Sequence, residues 1–422
     1  MSLRPVRAAL TALGCKVNYA EMAELAGRLA AAGIEVVGED DPADVRVLNS
    51  CAVTMQADAT TRQRISRLRR ADPQAHLVLT GCSVDANPGR YPALVDSVVA
   101  NADKAGIADR IIELVAARGG AAATATATPP RRSRAFLKVQ DGCDHRCTYC
   151  IVWRARGGVS RSLPLDEVLA RVDAALDAGH RELVLTGVDL GSWGHERGER
   201  LSTLVAAVLE RIGGARLRLS SVNANDITSA LAELNAHPRL CPHWHVPLQS
   251  GSDAVLRAMH RGYRGARYRR VVEQLRAADP HTELTTDVMV AFPGETEDDH
   301  AATLAMVADA GFLHCHTFRW SPRPDTPAVL LEGRLDEETA RRRSREVRRA
   351  AARTGLAARR RAVGRRLEVV WERVEEGEAR GLSEGWHTVV AVPGPATVPG
   401  ALEEVLIDAV EGDVLRATLP GP

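Results

Sequence analysis

The sequence predicts an α/β protein in three parts: an N-terminal open parallel α/β domain, a central partial (β/α)6 barrel, and a small C-terminal β domain. Three observations predict it. Short apolar runs alternate with helical stretches in two series, which is the mark of parallel sheets flanked by helices. The second series holds six strand–helix units, short of the eight that close a full barrel. The last stretch turns to short strands rich in Val, Gly and Pro. A length of 422 residues agrees with about three domains and is ample for buried cores without disulfide staples.

Each element follows in order. In residues 1–115, candidate strands at 8–13, 45–49 and 76–80 are separated by helical patterns at 19–31 and 60–70. Residues 116–134 (AARGGAAATATATPPRRSR) are low in complexity and read as a linker. The second series, 135–333, offers strands at 136–140, 182–186, 217–221, 243–248, 282–290 and 313–318, with helices such as 164–178, 201–211 and 298–310. Residues 334–366 form a basic helical connector. Within it, 341–366 carries twelve arginines against the single acid Glu346, in a helical pattern interrupted at Gly355 and Gly364. Residues 367–422 carry eleven acids and three arginines. The formal net charge of +1 therefore conceals a basic joint beside an acidic module.

No run approaches the ~20 apolar residues of a membrane span, and the start, MSLRPVRAAL, lacks the apolar core of a signal peptide. No membrane association and a cytoplasmic location are therefore expected. In that compartment thiols stay reduced, so clustered cysteines should be ligands or catalysts.

Six of the eight cysteines carry that expectation. Cys143, Cys147 and Cys150 lie in QDGCDHRCTYCIVWRARGG, directly after the first barrel strand. Three thiolates on one loop suit three corners of a [4Fe–4S] cube with its fourth iron open. A closed zinc site needs a fourth ligand, and His145 is the nearest donor, though strained inside so short a loop. Cys15 (ALGCKVN), Cys51 (NSCAVT) and Cys82 (LTGCSV) each follow an N-terminal strand. In an open parallel sheet such strand ends share one edge, so the three suit a second cluster. Small neighbours at Gly14 and Gly81 let backbone approach it. Cys241 and Cys315 lie at or within barrel strands and are expected to be buried.

Ordered segments along nearly the whole chain resemble the methylthiotransferases of the radical S-adenosylmethionine superfamily. They are TALGCKVNYAEM, NSCAVT, TGC, GCDHRCTYCIVWRARG, SRS, LTGVDLGSWG, HVPLQSGSD, TDVMVAFPGET and HTFRWSPRPDTPA. GCKVN is similar to the subgroup that modifies N6-threonylcarbamoyladenosine at position 37 of tRNA. Isopentenyladenosine enzymes read closer to GCQMN, and ribosomal-protein enzymes closer to GCPKN. The resemblance implies an N-terminal methylthiotransferase domain, a radical domain and, for the small C-terminal β domain, a TRAM-like β-barrel. It further implies two [4Fe–4S] clusters and S-adenosylmethionine, the latter bound at Cys143, Cys147 and Cys150 and cleaved there to a 5′-deoxyadenosyl radical. That radical would abstract hydrogen from C2 of adenine, the second cluster would hold or deliver sulfur, and a second S-adenosylmethionine would supply methyl. An electron-donor protein and a sulfur source are implied partners.

Further motif residues are expected at the cofactor: Gly187 and Asp189 at its amino group, Gln249 and Ser250 near ribose, and Asp287 and Phe318 at the adenine or substrate pocket. Tyr149, between two ligands, either covers the cofactor's adenine or seals the cluster. Trp153 stands where relatives often carry proline, Trp320 where tyrosine is frequent, and Ala291 where glycine is usual. RNA backbone contact is expected from residues 341–366 and from Arg154, Arg156 and Arg161, because phosphate binding draws on arginine and the tail is acidic. Trp153, Trp193 and Trp320 are candidates for base stacking. Alternatives are a methylthiotransferase for isopentenyladenosine in tRNA or for a ribosomal protein, and, in another class, a noncatalytic metal-cluster RNA-binding protein.

Overall fold

The computed structural model describes residues 6–52, 55–117 and 133–420. Most of the expected linker thus lies outside the described residues. The first sheet comprises β1 (Arg7–Ala12), β2 (Glu35–Val37), β3 (Val45–Ser50), β4 (His76–Gly81) and β5 (Ser97–Val99). All its pairings are parallel, in the order β2-β1-β3-β4-β5. Helices α1 (Lys16–Ala31), α2 (Met55–Ala71), α3 (Cys82–Ala86) and α4 (Ile107–Ala117) connect or flank these strands. β3 is buried along its whole length, as a central parallel strand covered on both faces should be. The three-residue edge strands β2 and β5 were not expected from the sequence, because runs so short carry no resolvable period.

The second unit begins with β6 (Ala135–Asp141), α5 (Val152–Ala155), β7 (Arg161–Ser162), α6 (Leu165–Asp177), β8 (Glu182–Gly187), α7 (Leu201–Arg211) and β9 (Arg216–Leu219). It continues with α8 (Ser229–Glu233), β10 (His243–His245), α9 (Asp253–Ala258), α10 (Gly265–Ala278), β11 (Glu283–Val290), α11 (Glu297–Ala310) and β12 (His314–Arg319). The bridges Leu217–Leu240 and Ser221–His245 link the β6-β8-β9 sheet to the β10-β11-β12 sheet, giving six parallel strands in an open barrel. β7 adds an unexpected antiparallel edge on β6. The barrel and its helices share one core, which includes Trp193, Trp244, Phe312, Cys315 and the branched residues of the strands. Cys241 and Cys315 are both buried, as expected.

Helix α12 (Glu337–Ala362) then runs unbroken through Gly355, against the expected interruption. A Cβ at Gly355 would stand 2.4 Å from the Leu313 carbonyl oxygen, so the glycine serves close packing of the helix on the barrel. Many of the arginines of this stretch pair with acids: Arg341 with Glu337, Arg342 and Arg343 with Glu297, Arg359 with Asp413, and Arg361 with Glu283. Arg343 is buried and also holds Glu295 at 2.7 Å. Finally β13 (Arg366–Glu375), β14 (Glu378–Ser383), β15 (Thr388–Ala391), β16 (Leu402–Glu411) and β17 (Val414–Thr418) close a five-stranded barrel around Trp371, Val389 and Ile407. No described helix is long and apolar enough to cross a membrane.

Candidate active site

Strand register brings Cys15, Cys51 and Cys82 to one edge. Ala12 lies opposite Asn49, and Ser50 opposite Gly81, so the three chains leave the sheet at one level just before their cysteines. Gly14 has a φ of +89°, and a Cβ there would stand 2.6 Å from the Cys51 sulfur. Only glycine meets both the conformation and the approach. Cys82 accepts a hydrogen bond from Arg156 Nε at 3.3 Å. Arg156 also donates to Glu21 at 2.5 Å and to Asn18 Oδ1 at 3.0 Å. Burial alone would raise the Glu21 carboxyl, but Arg156, Lys104 and Lys138 outweigh it and hold it well below the usual range. Arg156 was expected to contact RNA; the structure corrects this, because it is buried and commits its donors to this network. Arg154 and Arg161 are exposed.

The second triad sits on the loop between β6 and α5. Its backbone is pinned from outside: Thr148 donates to the Met259 and Ala258 carbonyls at 3.1 and 2.8 Å, and accepts from Ala328 N–H at 2.8 Å. Arg261 Nη1 donates to Cys147 Sγ at 3.4 Å, and Val152 N–H to Cys150 Sγ at 3.4 Å. Burial and then Asp189 raise the Cys143 thiol, while burial and then Cys147 push Cys150 up to about 11. A bound metal reverses such shifts by deprotonating coordinated thiols. Donor atoms of Cys143, His145 and Asp189 lie within 4.8 Å of one another. The His145 ring, however, is 3.1 Å from Asp189 Oδ2 and 3.4 Å from Asn223, which already engage it. With His145 so engaged, the barrel loop offers its three thiols as the donor set, the number that suits a three-thiolate site.

Between the first triad and the carboxyl ends of the barrel strands lies a cavity of about 600 Å³. Cys15 and Cys51 line one side, and Gly187, Asp287, His316 and Phe318 the other. Asp287 is 3.3 Å from His245 Nε2, which with His316 forms a second cluster of donor atoms within 4.8 Å. Of the other expected cofactor residues, Asp189 donates its backbone N–H to Gln140 Oε1 at 2.8 Å and faces the Cys143 loop through His145. Gln249 is buried in a left-handed conformation, φ +64°, with its N–H on the Asp287 carbonyl at 2.8 Å. Ser250 is fully covered, its hydroxyl 3.2 Å from Thr303 Oγ1 and accepting from Ser252 N–H at 3.1 Å. These bonds tie it into the loop after β10. Tyr149, half-buried, packs against the cluster of Val255, Met259, Phe292 and Ala328.

The tryptophans divide. Trp193 is fully buried, its indole N–H on the Leu163 carbonyl at 3.0 Å, so base stacking is excluded. Trp320 packs in the Tyr149 cluster. Trp153 lies partly open beside Arg154 and Arg146, whose guanidiniums are 5.2 and 6.0 Å from its ring. Sequence reasoning missed Arg261, whose only signal is its place after a short helix, and Trp386 of the C-terminal barrel, which reaches the cavity wall.

Residues 137–307 match the model of the radical SAM superfamily, and residues 7–100 that of the uncharacterized protein family UPF0004. The Thermotoga maritima threonylcarbamoyladenosine tRNA methylthiotransferase MtaB is 37% identical, over 85% of each chain. A tRNA-2-methylthio-N(6)-dimethylallyladenosine synthase of Parafrankia is 36% identical over 87% of this chain and 77% of its own. Among solved structures, the radical S-adenosylmethionine methyltransferase TsrM of Kitasatospora setae superposes with a TM-score of 0.56 at 15% identity, covering 78% of this chain and 77% of its own, which speaks to the fold alone. The thiol triads, the open barrel and these relatives converge on one assignment: the chain belongs to the radical S-adenosylmethionine methylthiotransferase family.

Proposed function

We propose that this protein converts N6-threonylcarbamoyladenosine at position 37 of tRNA to its 2-methylthio derivative. The observation that carries the reading is two three-thiol sets, Cys15, Cys51 and Cys82 on the sheet edge and Cys143, Cys147 and Cys150 on the barrel loop, with the cavity lying against Cys15 and Cys51. The substrate choice draws on the similarity to the Thermotoga enzyme and on the GCKVN segment. When bound, two [4Fe–4S] clusters and S-adenosylmethionine supply the electron, the hydrogen-abstracting radical, the sulfur and the methyl group.

The chain's own residues position and protect. Cys143, Cys147 and Cys150 hold one cluster, and Cys15, Cys51 and Cys82 the other. Arg261 places a half-buried guanidinium on Cys147 and Arg156 a buried one on Cys82, so one thiol of each set has a cation that stabilises thiolate charge. Gly187, Asp189 and Gln249 border the region where the cofactor's amino-acid end and ribose would lie, with Asp287 and Phe318 on the adenine side. The Tyr149 cluster keeps solvent from the barrel triad. The same reading divides the chain into domains at 1–115, 135–333 and 367–422, with the connector 334–366 before the last. An electron-donor protein and a sulfur source complete the partners. Exposed Arg154 and Arg161 supply phosphate contacts.

Thiomethylation of dimethylallyladenosine is the second reading, favoured by the Parafrankia relative. Nucleoside mass spectrometry of tRNA from cells with and without the protein decides between them. Loss of 2-methylthio-N6-threonylcarbamoyladenosine on deletion is expected. Loss of the dimethylallyl product instead, with the threonyl product unchanged, would reject the proposal.

A further inference from the structure

The side of the cavity next to Cys15 is electropositive and incompletely satisfied. Lys16, the residue after that cysteine, lines it and forms no ion pair among the described residues; its ammonium rests 5.0 Å from the Trp386 ring. Two more cations, Arg134 and Arg218, lie 5.4 and 5.0 Å from the same ring. Trp386 comes from the turn after β14, where a φ of +72° turns it toward the cavity, and it stacks on His243 at 4.8 Å and 11°. The one acid on the lining, Asp287, is engaged by His245. Two buried lining groups, His243 Nδ1 and Ser220 Oγ, have no hydrogen-bond partner among the described residues. Buried polar atoms are rarely left unpaired, so these two ask for a ligand, and the half-buried Lys16 adds a positive charge on the same lining.

We propose that Lys16, with Ser220 and His243, forms the subsite for the carboxylate-bearing amino-acid substituent on the target adenine. This rests on the substrate reading above and deepens it. The cavity lining includes no residue of the Cys143–Cys150 loop, so the anion that Lys16 meets is distinct from the carboxylate of a cofactor bound at that loop. A substituent with a carboxylate and hydrogen-bonding groups matches one ammonium and two orphaned polar atoms. An apolar isopentenyl group would leave all three unpaired, at the cost that unmet buried partners carry. Trp386 makes the C-terminal barrel a wall of this subsite.

The test compares anaerobically reconstituted enzyme on two tRNAs, one with the natural threonylcarbamoyl carboxylate and one with that carboxylate converted to the amide. Wild type is expected to prefer the acid by roughly ten- to a hundredfold in kcat/KM, the range for hydrogen bonds to charged groups. Lys16→Arg should keep much of that preference, and Lys16→Gln should lose it. If the glutamine variant turns over neither RNA, the ratio of the two dissociation constants gives the same reading. Equal use of acid and amide by wild type, or an undiminished preference in Lys16→Gln, overturns the subsite and assigns Lys16 to another anion. No turnover of the acid-bearing tRNA, with turnover of an isopentenyl tRNA, instead overturns the proposed function itself.

Discussion

Replacing Glu182 by Gln should loosen the C-terminal barrel from the radical domain. Glu182 is fully buried and lies 2.5 Å from Arg216 and 2.7 Å from Arg218, also buried. The two guanidiniums reach past it to four backbone carbonyls of the C-terminal barrel: Glu368 at 2.7 Å, and Leu382, Ser383 and Glu384 at 2.9 Å. One carboxylate therefore bridges the two cations that dock the barrel. Removing one member of a buried ionic group costs about 3–5 kcal/mol, because the remaining charge stays desolvated. For a cooperative unit of this size that is a fall of roughly 10 °C in Tm. Burial would raise the Glu182 carboxyl, but Arg218 and Arg216 outweigh it and lower it strongly. Its contribution is thus full above the unfolded value, ~4.3, and lost as pH falls toward the folded one. Calorimetry with limited proteolysis at neutral pH is the assay. Early release of the C-terminal barrel is expected. A Tm within about 2 °C of wild type and an unchanged cleavage pattern would refute this account of docking.

Three further outcomes follow from the same contacts. Cys147→Ala should abolish both deoxyadenosine formation and product, whereas Cys51→Ala should retain cofactor cleavage and stop thiolation; equal losses in two folded variants would contradict the division of labour. Glu384 is pushed up to about 7, chiefly by burial, and its Oε2 has no partner among the described residues. A raised carboxyl binds its proton more tightly in the native state, so stability should fall as pH rises from ~4.3 to about 7. Glu384→Gln should flatten that slope and gain about 1–3 kcal/mol at pH 8 in denaturant titrations, and a variant that is less stable there would count against it. Gly355→Ala places its Cβ 2.4 Å from the Leu313 oxygen and should cost about 1–3 kcal/mol by overpacking, although alanine is the better helix former.

Much of this architecture is legible in the chain. The cysteines follow strands whose parallel pairing dictates a shared edge, so Cys15, Cys51 and Cys82 converge through register alone. What escaped the sequence depends on burial and on contacts distant in the chain. Arg156 looks like a phosphate ligand because charge is visible and burial is not; its partners Glu21 and Asn18 belong to another sheet's helix. Gly355 looks like a helix break because propensity counts against glycine, whereas the approach of α12 to Leu313 decides the matter. Trp193 follows a strand-end motif, yet a hydrogen bond to Leu163 draws it into the core. Trp386 carries no signal at all until the C-terminal barrel docks and brings it beside His243.

The central claim is that two three-thiolate sites each hold a cluster. Iron and acid-labile sulfide counted on anaerobically purified protein test it most directly, alongside a variant with Cys143, Cys147 and Cys150 all replaced by Ala. The account predicts about eight irons per chain, falling to about four in the variant. About four irons in the wild type and none in the variant would contradict it, leaving Cys15, Cys51 and Cys82 without a cluster.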